Sequence, residues 1–185
     1  YDRSVETFRK ALALHDWSQL HHNLAAAFLA WGRPDSAVVH FQRADEMEPG
    51  DRETMEGLVR ALIRAERLQD AQQQLDRMLR QAPGDQELLR LLALSQMSLG
   101  HDREALTTYR RAGLSAGEAH LRIGDSARER HQWRRARTQY EAGLAASPQD
   151  ARLLDGLGTV LIAETDWRSA LEKFRLAAAL DPMLA

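Results

Sequence analysis

The chain has 185 residues, a formal net charge of −2 and a sequence pI of about 6.4, so its overall charge gives no general attraction for nucleic acid or an anionic membrane. It contains no cysteine, which excludes disulfides and thiol chemistry, and no apolar run approaches the roughly 20 residues of a membrane span. Its apolar content of 44% is typical of a folded protein.

Apolar residues recur at spacings of three and four along the chain, which predicts amphipathic α-helices. Abundant alanine and leucine, with few β-branched residues, favour helix over strand. In chain order, the predicted helices cover residues 1–14, 18–31, 34–48, 52–65, 68–81, 86–99, 102–113, 117–130, 133–146, 151–164 and 167–180.

Three of the predicted helix boundaries carry the pattern Pro-x-Asp, at Pro49, Pro83 and Pro148. Proline ends a helix because it lacks an N–H and clashes with the preceding turn. The aspartate two residues later is a good N-cap for the next helix. Between other helices, Gly32 and Gly100 are predicted to be the residues at which the preceding helix stops.

A small residue, a large apolar residue four positions later and a small residue three further on recur along the chain. The six copies are Ser4/Phe8/Ala11, Ala37/Phe41/Ala44, Ala71/Leu75/Met78, Ala105/Tyr109/Ala112, Ala136/Tyr140/Gly143 and Ala170/Phe174/Ala177. Their central members lie 33, 34, 34, 31 and 34 residues apart, which indicates a tandem repeat. Trp133 and Trp167 take equivalent places in two units, and we expect them to pack over the turn between paired helices.

A second pattern precedes the last five copies. It reads Leu24-Ala25-x-x-Phe28, Leu58-Val59-x-x-Leu62, Leu92-Ala93-x-x-Gln96, Ile123-Gly124-x-x-Ala127 and Leu157-Gly158-x-x-Leu161. With both patterns, the chain resembles the tetratricopeptide repeat family, whose unit is a helix–turn–helix of about 34 residues. The resemblance implies an all-α fold, a right-handed superhelical α-solenoid of tandem helix–turn–helix repeats. Its divisions are the second helix of a truncated repeat (1–16) and repeats at 18–51, 52–85, 86–116, 117–150 and 151–185.

The repeat at 86–116 is three residues short and lacks the expected proline. We therefore predict a shortened helix and a tighter turn near Gly113–Gly117, with a local change of superhelix pitch. The same stretch, GLSAG, fits the G-x-S-x-G pattern of serine hydrolases, but no strand precedes it. We interpret Ser115 as a helix N-cap, with Glu118 three residues later completing a capping box.

Three other patterns have a functional and a structural interpretation. Gly156-Leu157-Gly158 matches part of a phosphate loop, but it lies inside a predicted helix, which favours close packing. Adjacent His21 and His22 point about 100° apart on a helix and make a poor metal pair, so no metal or cofactor is expected. The arginine-rich run 128–137 permits a polyanion site, but a solvated surface fits the acidic net charge better.

The family resemblance implies that the first helix of each repeat lines a concave groove for an extended peptide or a partner helix. The predicted groove residues are His22, Ala26, Leu29, Glu56, Arg60, Ile63, Arg64, Arg90, Leu94, Met97, Leu121, Asp125, Arg128, Asp155, Thr159 and Ile162, with Gln19, Glu53 and Glu87 beside them. Apolar and charged side chains are interleaved, as an amphipathic guest requires.

The centre of the groove carries Arg60, Arg64 and Arg90, which suit bidentate binding of a guest's carboxylates. Neighbouring glutamates would instead neutralise these arginines in surface ion pairs, and the sequence leaves both interpretations open. The Lys/Asn carboxylate clamp of chaperone-binding family members is absent, which disfavours a cochaperone role.

The predicted function is therefore a non-catalytic interaction scaffold that binds an acidic or amphipathic peptide or helix. Two alternatives stay open: the repeat region of a bacterial envelope protein, in exopolysaccharide export or pilus assembly, or of a larger enzyme such as a glycosyltransferase. The chain begins at Tyr1 within a predicted helix and has 23 arginines against 2 lysines, so we expect a fragment of a larger bacterial protein. The sequence does not distinguish cytoplasm from periplasm. Apolar residues on helix 167–180 predict end-to-end association of copies.

Overall fold

The computed structural model describes Thr7 and residues 17–184. All regular structure in this part of the chain is helical, which confirms the predicted all-α class of tandem helix–turn–helix units. The helices are α1 (Ser18–Ala30), α2 (Pro34–Met47), α3 (Arg52–Arg64), α4 (Leu68–Gln81), α5 (Gln86–Ser98), α6 (Asp102–Arg111), α7 (Ala116–Glu129), α8 (Trp133–Ala146), α9 (Ala151–Ala163) and α10 (Trp167–Leu180), followed by a 3-10 turn at Pro182–Leu184.

Each described helix begins and ends within two residues of its predicted bounds. The predicted helix 1–14 and the truncated repeat 1–16 lie outside the described residues, apart from Thr7, which is helical. The repeat boundaries themselves stay predictions. Among the described residues, none of the helices combines the length and the apolar character that crossing a membrane requires.

The chain divides into two compact units, Tyr1–Ser95 (unit 1) and Gln96–Ala185 (unit 2). In unit 1, α1 packs against α2, α2 against α3, and α3 against α4. Its largest described core cluster joins residues of these helices: Leu24, Ala25, Phe28, Ala37, Val38, Phe41, Leu58, Ala61, Leu62 and Ala71. In unit 2, α8 packs against both α7 and α9, and α9 packs against α10. Tyr140, Leu153 and Val160, each with no exposed surface, lie at the centre of its core.

The aspartates of the Pro-x-Asp pattern cap the helices that follow them. Asp51 accepts a hydrogen bond from the Thr54 N–H at 2.8 Å, and Asp85 accepts one from the Leu88 N–H at 3.1 Å. Ser115 likewise accepts from the Glu118 N–H at 3.2 Å, as predicted for an N-cap. These side chains satisfy N–H groups that the first turn of a helix leaves without partners.

The turns inside the helix pairs place one residue in the left-handed conformation. Gly32 and Gly100 have φ of +75° and +82°, which confirms them as helix stops. At the equivalent places stand Glu66, His131 and Thr165, with φ of +58°, +56° and +65°. Non-glycine residues adopt this conformation at a cost, most of all a β-branched residue such as Thr165. The helix bounds predicted all five turns, but glycine was the only sequence signal for the left-handed conformation, so it was not predicted at these three residues.

The predicted shortening of the helix before Gly113 is confirmed. Helix α6 has 10 residues, whereas the other described α-helices have 13 or 14. It stops at Arg111 because Gly113 turns the chain with φ of +86°, and Ser115 then starts α7.

The two tryptophans at the starts of α8 and α10 have different surroundings. Trp133 packs edge-on against His131 of the turn, with ring centroids 5.2 Å apart, and contacts the unit 2 core. Trp167 is 61% exposed, so the expected packing over the turn does not extend to it.

Candidate functional site

Unit 1 contains a cleft of about 470 Å³ lined mainly by α1 and α3, which we call the first cleft. Its lining residues are His22, Ala26, Leu29, Ala30, Phe41, Glu53, Glu56, Gly57, Arg60 and Arg64. Six of these belong to the predicted groove set, and Glu53 was predicted beside it. The remaining three, Ala30, Phe41 and Gly57, were not predicted, and Phe41 was missed because it lies on a second helix while the groove rule considers only first helices.

A close approach of α3 to the ring of Phe41 forms one wall of the first cleft. A Cβ atom at Gly57 would lie 2.5 Å from Cε1 of Phe41, so no larger residue fits without displacing the ring. His22 holds the same wall in place, because its Nδ1 lies 2.9 Å from Oγ1 of Thr54 and its ring meets Phe41 edge-on. The position of α3 beside α1 therefore depends on Gly57, Phe41 and His22, which also line the cleft.

Two of the three central arginines form ion pairs with glutamates of the chain. Nη2 of Arg60 lies 2.7 Å from Oε1 of Glu87 and 3.7 Å from Oε2 of Glu56. Nη1 of Arg90 lies 3.8 Å from the second carboxylate oxygen of Glu87. At these two positions the structure favours the neutralised interpretation over the carboxylate clamp.

Arg64 differs from these two arginines. It donates to the Leu29 carbonyl at 3.3 Å, and none of the described carboxylates forms an ion pair with it. Arg64 is exposed, and it lines the cleft together with the exposed Ala26 and the half-buried Leu29. The first cleft thus combines a short apolar strip with one guanidinium that retains free donors. It also contains the exposed carboxylate of Glu53, which forms no ion pair with a described cation.

The other predicted groove residues of α3 and α5 lie outside this cleft. Ile63 is half-buried and packs against two hydrophobic clusters of unit 1. Leu94 is half-buried, and Met97, which belongs to unit 2, is only 4% exposed. Neither Leu94 nor Met97 lines the first cleft.

Unit 2 contains a smaller cleft of about 310 Å³ lined by α7 and α9, which we call the second cleft. Its lining residues are Glu118, Leu121, Arg122, Asp125, Arg128, Arg152, Asp155 and Gly156. Leu121, Asp125, Arg128 and Asp155 were predicted. Two further predicted residues of α9 do not line it: Thr159 donates to the Asp155 carbonyl of its own helix, and Ile162 is 36% exposed.

A hydrogen-bonded network crosses the second cleft. The buried Tyr140 donates its O–H to Oδ1 of Asp125 at 2.8 Å and accepts from Nε of Arg128 at 3.1 Å. Arg128 also approaches Asp125 at 3.4 Å. Burial, together with the neighbouring Asp125 carboxylate, raises the pKa of Tyr140, so its hydroxyl stays protonated as a donor. A Cβ at Gly156 would lie 2.5 Å from the same ring.

Most other charges of the second cleft also pair with each other. Glu118 lies 2.9 Å from Arg152 and 3.3 Å from Arg122. Arg152 in turn binds Asp150, the N-cap of α9. The donors and acceptors here are largely satisfied within the chain, which leaves fewer groups for a guest than in the first cleft.

The sequence patterns that suggested enzymes are explained by helix packing. Ser115 caps α7, and no strand occurs among the described residues. Gly156 and Gly158 lie inside α9, where their missing side chains leave room for Tyr140 and Phe174. No group of three or more metal-ligating side chains is found in the described part of the chain.

The arginine-rich run 128–137 mostly serves internal contacts. Arg130 donates to the Ser98 carbonyl, Arg135 binds Asp102, and Arg137 binds Glu141 and Glu164. Together with Arg128, these residues join neighbouring helices of unit 2. Arg134 is the exception and is considered separately below.

Two family models described as tetratricopeptide repeat match residues 28–95 and 121–183. The chain belongs to the tetratricopeptide repeat family. The matched ranges fall within unit 1 and unit 2 respectively and include most lining residues of the two clefts. No curated protein sequence matches the chain significantly.

Solved tetratricopeptide repeat structures share the fold at low sequence identity. YrrB, described as a tetratricopeptide repeat protein with an unusual peptide-binding site, is 20% identical with a TM-score of 0.54, over 96% of this chain and 94% of its own. A thermophilic tetratricopeptide repeat protein of Thermus thermophilus is 19% identical with a TM-score of 0.56, over 89% and 92%. MamA of Desulfovibrio magneticus is 18% identical with a TM-score of 0.58, over 90% and 96%. At these identities the likeness concerns the fold alone.

Membership of the tetratricopeptide repeat family makes this chain a protein-interaction scaffold in general terms. Arrays of such repeats offer extended surfaces to protein or peptide partners, and the family is typically non-catalytic.

Proposed function

We propose that this chain is a non-catalytic adaptor whose first cleft binds a peptide segment or partner helix that presents an apolar side chain next to a carboxylate. Arg64 carries this proposal, because it lies in the cleft beside Ala26 and Leu29 and has no ion pair with a described carboxylate. Arginine binds a carboxylate through two parallel hydrogen bonds, which adds geometric specificity to the attraction.

Of the three arginines that the sequence suggested for carboxylate binding, Arg60, Arg64 and Arg90, the proposal keeps only Arg64. Arg60 and Arg90 share Glu87, so a guest carboxylate would have to displace that glutamate before using them. Arg64 requires no such exchange. The apolar strip gives the guest a second point of contact, since a site with one charge alone has little specificity.

The likeness to YrrB supports a peptide as the guest. That protein shares the fold over nearly the whole length of both chains, and it is described as having an unusual peptide-binding site. The first cleft, with a volume of about 470 Å³, accommodates a few side chains of a bound segment rather than a whole folded domain.

Selection from a random peptide library on the whole chain, followed by calorimetry, tests the proposal. We expect enriched sequences that place Asp or Glu next to Leu, Ile or Phe. Arg64→Glu should weaken their binding about tenfold or more, because it replaces a charge-assisted hydrogen bond with repulsion. The matched control is Arg77→Glu, an exposed arginine of α4 outside the cleft, which should change affinity less than about twofold.

Three results would contradict the proposal: no enriched sequence, equal losses for both variants, or full affinity in Arg64→Glu. Circular-dichroism melting of the two variants controls for folding. Both side chains are exposed, so we expect both melting temperatures to stay close to that of the parent chain.

A further inference from the structure

Unit 2 carries exposed arginines on the second helix of each of its helix pairs. Five of them share the register of the repeat: Arg103 and Arg110 on α6, Arg134 on α8, and Arg168 and Arg175 on α10. Arg111 and Arg137 are also exposed but lie outside this register. None of the five forms an ion pair with a described carboxylate. We call these five residues the outer arginine face.

The members of this face share a register. Arg103, Arg134 and Arg168 are each the second residue of their helix, and their intervals of 31 and 34 residues equal those of the repeat. Arg110 and Arg175 follow seven residues later, nearly two full turns, and so lie on the same side of their helices. Equivalent positions on equivalent helices place these cations along one side of unit 2.

Structural contacts do not explain these arginines. Arg135 and Arg137, one and three residues after Arg134, bind carboxylates of neighbouring helices of unit 2. The nearby acidic residues Glu104 and Glu172 pair with His101 and Lys173 instead of with the arginines. The five arginines therefore form no direct ion pair with a described carboxylate. Glu141 takes the equivalent position on α8 and pairs with Arg137, and Glu104 and Glu172 lie on the same helices as the arginines.

The placement of three of them also opposes the helix dipole. A cation in the first turn of a helix is disfavoured, because the amino end already carries partial positive charge. On the second helices of unit 1, the second position holds Asp35 in α2 and Gln69 in α4, although Arg33 and Arg67 stand at the N-caps of these helices. In unit 2 the second position holds Arg103, Arg134 and Arg168, although Asp102 and Glu104 also lie in the first turn of α6 and Asp166 caps α10.

Aromatic surface accompanies the charge. Trp133 and Trp167 directly precede Arg134 and Arg168, and Trp167 is 61% exposed. Trp133 and Arg134 line a surface cavity of about 520 Å³ together with Gly100, Gln132 and the ion pair of Asp102 with Arg135. An indole next to a free guanidinium offers a flat apolar contact beside an anion-binding group, a combination frequent at protein interfaces.

We propose that the outer arginine face is a second binding surface, which holds an acidic polypeptide segment of a partner protein. Its carboxylates bind the arginines, and an apolar or aromatic side chain of the segment packs against Trp133. We choose a polypeptide over nucleic acid because the chain belongs to a family of protein-interaction scaffolds. The net charge of −2 gives no long-range attraction for any polyanion, so binding would depend on local contacts with these arginines. This surface lies on second helices and does not depend on the first cleft.

A nuclear magnetic resonance titration of the whole chain tests this surface. The probe is a blocked oligoglutamate peptide with one central phenylalanine, added at low ionic strength. We expect saturable shifts of the indole N–H signals of Trp133 and Trp167, while those of Trp17 and Trp31, both in unit 1, stay in place. The double variant Arg134→Glu/Arg168→Glu should weaken binding about tenfold, since it reverses two of the contacts.

The matched control is Arg77→Glu/Arg80→Glu, which makes the same charge change on two exposed residues of α4 and should alter affinity less than about twofold. Glutamate suits the first turn of a helix, so Arg134→Glu/Arg168→Glu should melt no lower than the parent chain. Arg64→Glu should leave the two indole shifts unchanged, which separates this surface from the first cleft.

Three outcomes would overturn the proposal. One is the absence of saturable shifts at Trp133 and Trp167. Another is equal weakening by both double variants, which would mean attraction by charge alone. The third is tighter binding of a single-stranded oligothymidylate of equal charge, which would identify a nucleic-acid surface.

Discussion

The first and second clefts occupy equivalent places in the repeat but have different chemistry. In both, a glycine of a first helix faces the aromatic ring of the preceding second helix at the same distance, 2.5 Å to the Cβ it lacks: Gly57 against Phe41 and Gly156 against Tyr140. In the repeat register, Ala26 of the first cleft is equivalent to Asp125 of the second, and Leu29 is equivalent to Arg128. One cleft therefore has an apolar strip where the other has a charged network.

The two clefts share the contact that sets the distance between their helices, but they differ in the side chains that line them. The glycine–ring contact fixes the approach of two helices and is shared by both clefts. The hydroxyl that distinguishes Tyr140 from Phe41 recruits Asp125 and Arg128 into a satisfied network. Without that hydroxyl, the first cleft keeps its apolar surface and the free donors of Arg64 for a partner.

The shared framework predicts the largest effects. Gly57→Ala and Gly156→Ala should each lower the free energy of unfolding by about 2 kcal/mol, because overpacking against a ring costs up to about 3 kcal/mol and helix propensity returns about 1 kcal/mol. Urea unfolding measures both values. Gly84→Ala is the control, since a Cβ there meets nothing within 4 Å. A loss at only one of the two glycines would show that the clefts do not share this contact.

The network of the second cleft predicts a smaller effect. Tyr140→Phe removes a hydroxyl that bonds Asp125 and Arg128, and should cost about 1–2 kcal/mol of unfolding free energy. The reverse change, Phe41→Tyr, adds a hydroxyl beside Ala26 and should bring no gain. Equal free energies of unfolding for Tyr140→Phe and the parent chain would show that the hydrogen bonds of this hydroxyl do not stabilise the fold.

A transplant sharpens the same comparison. Phe41→Tyr combined with Ala26→Asp and Leu29→Arg places the residues of the second cleft in the first. We expect the triple variant to lose binding of the selected peptides, because the apolar strip is replaced by internally paired charges. Retained binding would mean that the strip does not contact the guest.

The smallest predicted effect concerns the helix cap of Asp85. The Leu88 N–H donates to its carboxylate and lowers the pKa of Asp85; burial opposes this change, and Arg52 adds to it. At pH 7, Asp85→Ala should cost about 1 kcal/mol of unfolding free energy. A lowered pKa stabilises the fold above the unfolded-state value of about 3.9 and loses that contribution as the pH falls through the native value.

Thermal melts of both chains between neutral and acidic pH measure this effect. The difference between the parent chain and Asp85→Ala should be largest near neutrality and should shrink below about pH 4. A difference that is independent of pH would show that the carboxylate charge plays no part in the cap.

The framework could be predicted from sequence because it rests on local rules and periodicity. Spacing of apolar residues and the Pro-x-Asp pattern gave the helix bounds to within two residues. The close-packed glycine Gly156 and the N-cap Ser115 also followed from residue type and context. These features depend on the backbone, whose geometry repeats along the chain.

The chemistry of the clefts could be predicted only in part. The repeat register placed His22, Ala26 and Arg64 in one lining. It could not show that Glu87 forms an ion pair with Arg60, or that Arg64 has no ion pair with a described carboxylate. Such pairing depends on side-chain rotamers and on a residue 27 positions away. The left-handed conformation of Thr165 was not predicted, because a β-branched residue disfavours it.

The most direct test of the central claim is an amide shift map of the isotope-labelled chain with a peptide selected as described above. The account predicts that the perturbed amides lie on α1 and α3 around Ala26, Leu29 and Arg64, and that those of α7 and α9 stay in place. Shifts centred on Asp125 and Asp155, or spread evenly over both clefts, would contradict it.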